Sequence, residues 1–176
     1  MRILFKNLFP NQYVKSIYEI NLTELKELGI KGVITDLDNT LVEWDRALAT
    51  TEVKEWFKTI EKLDMKITIV SNNNERRVKA FSDPEKVVYI HSAKKPMRRS
   101  FLRASKEMGL KPSEVVVVGD QIFTDVLGGN RAGLQTILVV PVAKTDGFFT
   151  RFNRKMERVV LNQMRKKGLI QWEEES

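Results

Sequence analysis

Gly32-Val33-Ile34-Thr35-Asp36-Leu37-Asp38-Asn39-Thr40 joins a short apolar run to two carboxylates two residues apart. The run reads as a buried strand, and the polar residues after it turn the chain into a loop. Side chains two apart along an extended chain share one side of the pleat, so Asp36 and Asp38 can converge on one bound group. With no Ser, Cys or His beside them, the pair suits attack by a carboxylate on an electrophile such as phosphorus, its neighbour moving the protons.

Outward from this stretch, short β-rich runs recur at 32–36, 66–71, 87–91, 115–119 and 135–140. Most are continuously apolar rather than alternating, as expected of strands buried on both faces. Helical periodicity fills the gaps at 51–63, 75–81, 97–108 and 123–131, with Val53, Trp56, Phe57, Ile60 and Leu63 forming one stripe. Alternating strand and helix predicts an α/β fold: a single Rossmann-like domain with an open five-stranded parallel sheet and helices on both faces. Ligands of such sheets bind at the carboxyl ends of the strands. Asp36, Ser71, Lys94 with Lys95, and Gly119 with Asp120 all fall there. Gly128, Gly129 and Gly133 read as close-packing and capping positions.

The 176 residues predict one domain over 1–176, with a catalytic core at about 30–142. There is no cysteine, which excludes disulfides and thiolate chemistry and makes the cytosol the default expectation. The apolar start of the chain is interrupted by Lys6 and Pro10, which leave too short a core for a signal peptide, so it reads as mature protein. The net charge of +7 is concentrated: residues 144–168 hold eight basic side chains against two acidic ones. Within 146–168, Phe148, Phe149, Phe152, Met156, Val159, Val160 and Met164 recur at helical spacing between the charges. Such a basic amphipathic helix can pack its stripe on the domain, beside the N-terminal cluster Ile3, Leu4, Phe5, Leu8 and Phe9, or lie on an anionic membrane surface.

Four motifs in order resemble those of the haloacid dehalogenase superfamily of phosphohydrolases. They are Asp36-Leu37-Asp38-Asn39-Thr40, Ser71 in Val70-Ser71-Asn72-Asn73, Lys95 in Lys94-Lys95-Pro96, and Gly119-Asp120-Gln121-Ile122-Phe123-Thr124-Asp125. The continuation Val126-Leu127-Gly128-Gly129-Asn130 is similar to the small YqeG-type members of subclass IIIA, relatives of mitochondrial phosphatidylglycerophosphate phosphatases. The resemblance implies that Asp36 is the nucleophile and forms an aspartyl-phosphate, and that Asp38 is the acid/base. It implies that Thr40, Ser71, Asn72 and Lys95 bind the phosphoryl group. It also implies a Mg²⁺ site drawn from Asp36, Asp38 through its backbone carbonyl, Asp120 and Asp125, the last either holding a metal water or orienting Lys95.

From Thr40 to Lys66 only one loop and one helix fit, and from Ser71 to Lys95 only one helix and one strand. That leaves no room for a cap domain. By family analogy, a capless member suits a phosphate displayed on something large, such as phosphatidylglycerophosphate. Trp44 can serve as a flap over the substrate or as a core anchor. The alternative reading is an RNA- or ribonucleoprotein-binding protein with secondary phosphatase activity, which the basic charge supports and no nucleic-acid motif does.

Overall fold

Each apolar run beside an acidic loop is a strand, and every pairing between strands is parallel. In the computed structural model, which describes residues 6–143, 159–163, 165, 166 and 168, the strands are β1 (Gln12–Val14), β2 (Gly32–Thr35), β3 (Lys66–Val70), β4 (Val88–Ile90), β5 (Val115–Gly119) and β6 (Gln135–Val139). The helices are α1 (Leu22–Glu27), α2 (Thr51–Lys62), α3 (Glu75–Glu85), α4 (Arg98–Glu107) and α5 (Leu127–Ala132). The sheet order is β1-β6-β5-β2-β3-β4.

Register explains why the strands read as continuously apolar. In β2, Val33 joins the core formed with α1, α2 and α3, while its neighbour Ile34 faces the core under α4. In β5, Val116 and Val118 lie in the first of these cores and Val115 and Val117 in the second. Both faces are dry, so both sets of alternating side chains must be apolar. The helices start where the sequence supplies caps: Asn21, Thr50 and Asn74 accept from the backbone N–H of Glu24, Val53 and Arg77.

The sheet has six strands, one more than the five predicted. The addition, β1, is a three-residue edge strand with half-buried side chains, too short to show a hydrophobic period. Polar bonds fasten the segment before it. Asn11 N–H donates to the Thr136 carbonyl and the Asn11 side chain accepts from Thr136 N–H, both at 2.8 Å. Asn130 Nδ2 donates to the carbonyls of Asn7 and Phe9 at 2.9 Å each.

Gly133 closes α5 at φ 80°, and a Cβ at Gly129 would meet Thr136 and Val117. These are the capping and close-packing roles expected of them. The stretch 146–168 falls largely outside the described residues. Of those described, Val160 is buried with Leu8, Ile122, Val126 and Leu138, and Leu161 and Phe9 pack against the same cluster. Val159 is exposed.

The topology creates the site. From β2 the chain moves outward through β3 to β4, then returns to place β5 on the other side of β2. Loops leaving β2 and β5 diverge at that switch, opening a crevice at the carboxyl edge of the sheet. Among the described residues, the β2–β3 and β3–β4 connections hold α2 and α3 and no cap.

Candidate active site

A cleft of about 470 Å³ opens at this edge, and Asp36, Asp38, Ser71, Asn72 and Lys95 line it. The ends of β2, β3 and β4 deliver these residues to one place, and Gln121 and Thr124 join them from the end of β5. Asp36 follows β2 directly, its backbone N–H donating to the Val118 carbonyl of β5 at 2.9 Å. Asp120 follows β5, and Asp125 lies one π-helical turn later, in Ile122–Val126.

Lys95 is the hub. Its ammonium lies 2.8 Å from Asp36 Oδ1 and 2.6 Å from Asp125 Oδ1, with all three side chains almost wholly enclosed. Burial works against its charge, but Asp125 and Asp36 outweigh burial and hold it protonated well above the ordinary lysine range. Asn72 fixes the lysine from behind: its Oδ1 accepts from Lys95 N–H at 2.7 Å and its Nδ2 donates to the Lys95 carbonyl at 3.3 Å. The amide of Asn72, expected on the substrate, is thus engaged with the backbone that presents Lys95.

Asp36, Asp120 and Asp125 each offer a carboxylate oxygen, and the three oxygens lie within 4.8 Å of one another. Burial, then the charges of Asp36 and Asp125, push the Asp120 carboxyl well above its usual range. Burial likewise pushes Asp125 up to about 6, against the pull of Lys95. Three ionised carboxylates against one ammonium leave a formal −2 in a nearly dry site, which a divalent, oxygen-preferring cation neutralises. The donor set fits such an ion. Asp38 lies outside this cluster, its carboxylate turned to Asn73 and Arg77. Only its backbone is left as a source of a ligand.

Thr40 is not in the cleft wall. Its hydroxyl donates to Asp120 Oδ1 at 3.1 Å, which makes it a holder of that carboxylate. Ser71 Oγ accepts from Asn73 N–H at 3.1 Å and still faces the cleft. Trp44, flap or anchor in the sequence reading, is half exposed and lines the mouth, so it is not in the core. Asn73, Arg77, Gln121 and Thr124 also belong to the site or its supports and carried no sequence signal of their own. Asn73 was visible only as the last residue of the motif Val70-Ser71-Asn72-Asn73, with no role of its own.

The geometry agrees with what the chain resembles. The family model described as mitochondrial PGP phosphatase matches residues 3–143. The chain belongs to this family. It is 56% identical over 172 residues to the Bacillus subtilis protein named "Probable phosphatase YqeG", covering 98% of this chain and 100% of that one. It is 31% identical to phosphatidylglycerophosphate phosphatase 1, chloroplastic/mitochondrial, of Arabidopsis thaliana, covering 91% of this chain and 49% of the plant protein. In fold it resembles the cobalt-bound deoxy-D-mannose-octulosonate 8-phosphate phosphatase YrbI from Haemophilus influenzae, with a TM-score of 0.55 at 14% identity over 84% of this chain and 96% of that one. The Legionella pneumophila protein titled "putative HAD superfamily (subfamily III A) hydrolase" gives a TM-score of 0.51 at 20% identity, over 70% of this chain and 75% of that one. The protein is a phosphatase of this family, acting on a phosphorylated substrate.

Proposed function

We propose that this phosphatase hydrolyses a phosphomonoester through an aspartyl-phosphate on Asp36, dependent on Mg²⁺, with a phospholipid of the phosphatidylglycerophosphate type as substrate. The observation that carries the chemistry is Lys95 held between Asp36 and Asp125 beside Asp120. A nucleophilic carboxylate, a fixed cation and a divalent-ion site meet at the floor of one cleft.

Asp36 attacks phosphorus while the bond from phosphorus to the ester oxygen breaks, and Asp38 delivers a proton to that oxygen. Ser71 and Lys95 meet the equatorial phosphoryl oxygens, where charge is concentrated. Asp38 then takes a proton from water as the water oxygen bonds to phosphorus. The bond to Asp36 breaks and inorganic phosphate leaves. Asp36, Asp120 and Asp125 would hold the ion together with the Asp38 backbone carbonyl, and Thr40 would steady Asp120. When bound, the ion supplies neutralisation of the carboxylates and of the phosphate together.

The open, capless cleft supports a large substrate, and the plant relative's name supports a phospholipid. We infer that about 30–142 forms the catalytic unit within a single domain, and that the basic 146–168 stretch and the membrane surface are its remaining variables. Among the described residues no helix is long and apolar enough to cross a membrane. The nucleic-acid alternative rests on charge alone. The test is phosphate release from phosphatidylglycerophosphate in mixed micelles against a panel of phosphosugars, nucleotides and phosphopeptides, with Mg²⁺ or EDTA, for the native protein and Asp36→Asn. Turnover that needs Mg²⁺, vanishes in Asp36→Asn and favours the lipid is expected. A preference for a soluble phosphomonoester overturns the lipid assignment, and turnover that survives in Asp36→Asn overturns the mechanism.

A further inference from the structure

Asp38 is gripped by two side chains near the start of α3. Its Oδ2 accepts from Asn73 Nδ2 at 3.0 Å, and its Oδ1 accepts from Arg77 Nε at 3.1 Å, with Nη2 of the same guanidinium in ion-pair contact at 2.9 Å. The third arm of the same guanidinium, Nη1, donates at 3.4 Å to the carbonyl of Ala47, in the loop that carries Trp44. The guanidinium also sits 5.8 Å from the ring centroid of Phe81, one turn further along α3 and wholly buried. One hydrogen bond and one ion-pair contact to Asp38, a loop carbonyl and an aromatic face leave this arginine few alternative rotamers.

An exposed ion pair would carry no weight, because such pairs drift and contribute little. This one is mostly enclosed, with side-chain exposures of 16% for Arg77 and 20% for Asp38. We propose that Arg77 is a positioning residue for Asp38, aiming its carboxyl into the cleft and tying that aim to the loop bearing Trp44. The proposal rests on the reading of Asp38 as the acid/base. Arg77 is not part of the cleft lining and acts only through Asp38.

Each oxygen of Asp38 takes one of these hydrogen bonds, Oδ1 from Arg77 and Oδ2 from Asn73, and the carboxyl keeps lone pairs for the proton it moves. In the first half-reaction the Asp38 carboxyl O–H bond breaks as the ester oxygen takes the proton on leaving phosphorus. In the second, a water O–H bond breaks and the proton returns to the Asp38 carboxylate as the water oxygen bonds to phosphorus and Asp36 is released.

Substituted phenyl phosphates, from p-nitrophenyl to p-methoxyphenyl, test this without knowledge of the natural substrate. In kcat/KM, which reports steps up to release of the phenol, a weakly basic leaving group needs little help from an acid and a strongly basic one needs much. Arg77→Met is expected to cut kcat/KM for p-methoxyphenyl phosphate by about 10- to 100-fold and for p-nitrophenyl phosphate by less than about threefold. Arg77→Lys keeps the charge without the fork and gives an intermediate slope; it also carries the test if the methionine variant does not fold. In an Asp38→Asn background, Arg77→Met adds no further loss. An equal fall for both substrates, or additive losses in the double variant, overturns the positioning role. A steep slope in Asp38→Asn with none in Arg77→Met or Arg77→Lys also sinks it while leaving the acid/base reading intact. No slope in Asp38→Asn sinks that reading instead, and absence of any turnover by the native protein sinks the proposed function with it.

Discussion

Gly119 makes room for Asp125. A Cβ on residue 119, the last of β5, would fall on the Asp125 carboxyl group, so the strand end and the following π-helical turn can approach only because no side chain stands between them. Asp125 in turn accepts from Gln121 N–H at 3.2 Å and from the Thr124 hydroxyl at 3.3 Å, so it has little freedom to retreat. Gly119→Ala is expected to displace Asp125 and, through it, Lys95. A displacement of this kind near reacting groups costs about 10²-fold in rate. Steady-state kinetics beside a thermal melt check it: a large fall in kcat with a modest fall in Tm is expected, and unchanged kcat would show that the carboxylate is not needed where it sits.

Burial, and after it the charges of Asp36 and Asp125, raise the Asp120 carboxyl above its usual range. Asp120→Asn keeps the shape, removes one negative charge and retains an oxygen for the Thr40 hydroxyl. In EDTA the variant is expected to melt higher than the native protein, because a like-charge repulsion is gone. With Mg²⁺ the order reverses: an ion at 100 times its dissociation constant stabilises the native protein by about 2.7 kcal/mol, while the variant gains little. Melts with and without the ion decide it, and an equal Mg²⁺-induced rise in both proteins would place the ion elsewhere.

Lys95 neutralises two buried acids at once, so removing it should cost more than one ion pair at the surface. Lys95→Met leaves Asp36 and Asp125 facing each other without a cation, and breaking a buried pair by removing one partner typically costs about 3–5 kcal/mol. Adding Asp125→Asn to this variant relieves the stranded charge. The double variant is expected to be more stable than the sum of the two single losses implies, by about 1–3 kcal/mol. Denaturant titrations of the four proteins measure this, and strict additivity would mean that Lys95 and Asp125 do not depend on one another.

Legibility in the sequence followed the length of each signal. The five strands around the motifs were readable because burial on both faces makes β5 wholly, and β2 and β6 mostly, apolar. Residues such as Asp36, Lys95 and Asp120 were readable because motifs in a fixed order place them at strand ends. What stayed hidden depends on contacts distant in the chain. Arg77 reaches Asp38 across 39 residues and looks from sequence like one more charge on a helix. The amide of Asn72 turns to the backbone of Lys95, 23 residues on, and Thr40 turns to Asp120 across 80; neither direction follows from residue type. β1 was invisible because three half-buried residues carry no period, and the hydrogen bonds that fasten the segment before it run to Asn130 and Thr136, far along the chain.

That polar fastening predicts a loss of stability separable from catalysis. Asn130, on α5, holds three groups: the carbonyls of Asn7 and Phe9 through Nδ2, and the Thr136 hydroxyl, which donates to its Oδ1 at 3.0 Å. Replacing it with alanine leaves two backbone carbonyls of the N-terminal segment and one hydroxyl without these partners. Each lost partner costs about 1–3 kcal/mol where the group stays out of water. The segment lies at the β6 edge, remote from the β2–β5 crevice, so Asn130→Ala is expected to lower Tm and speed amide exchange in 7–14 while kcat stays within about twofold, since distant sites are close to independent. Hydrogen exchange and steady-state kinetics on one preparation check both halves. A fall in kcat as large as the fall in stability would mean that the edge strand helps to hold the catalytic end of the sheet.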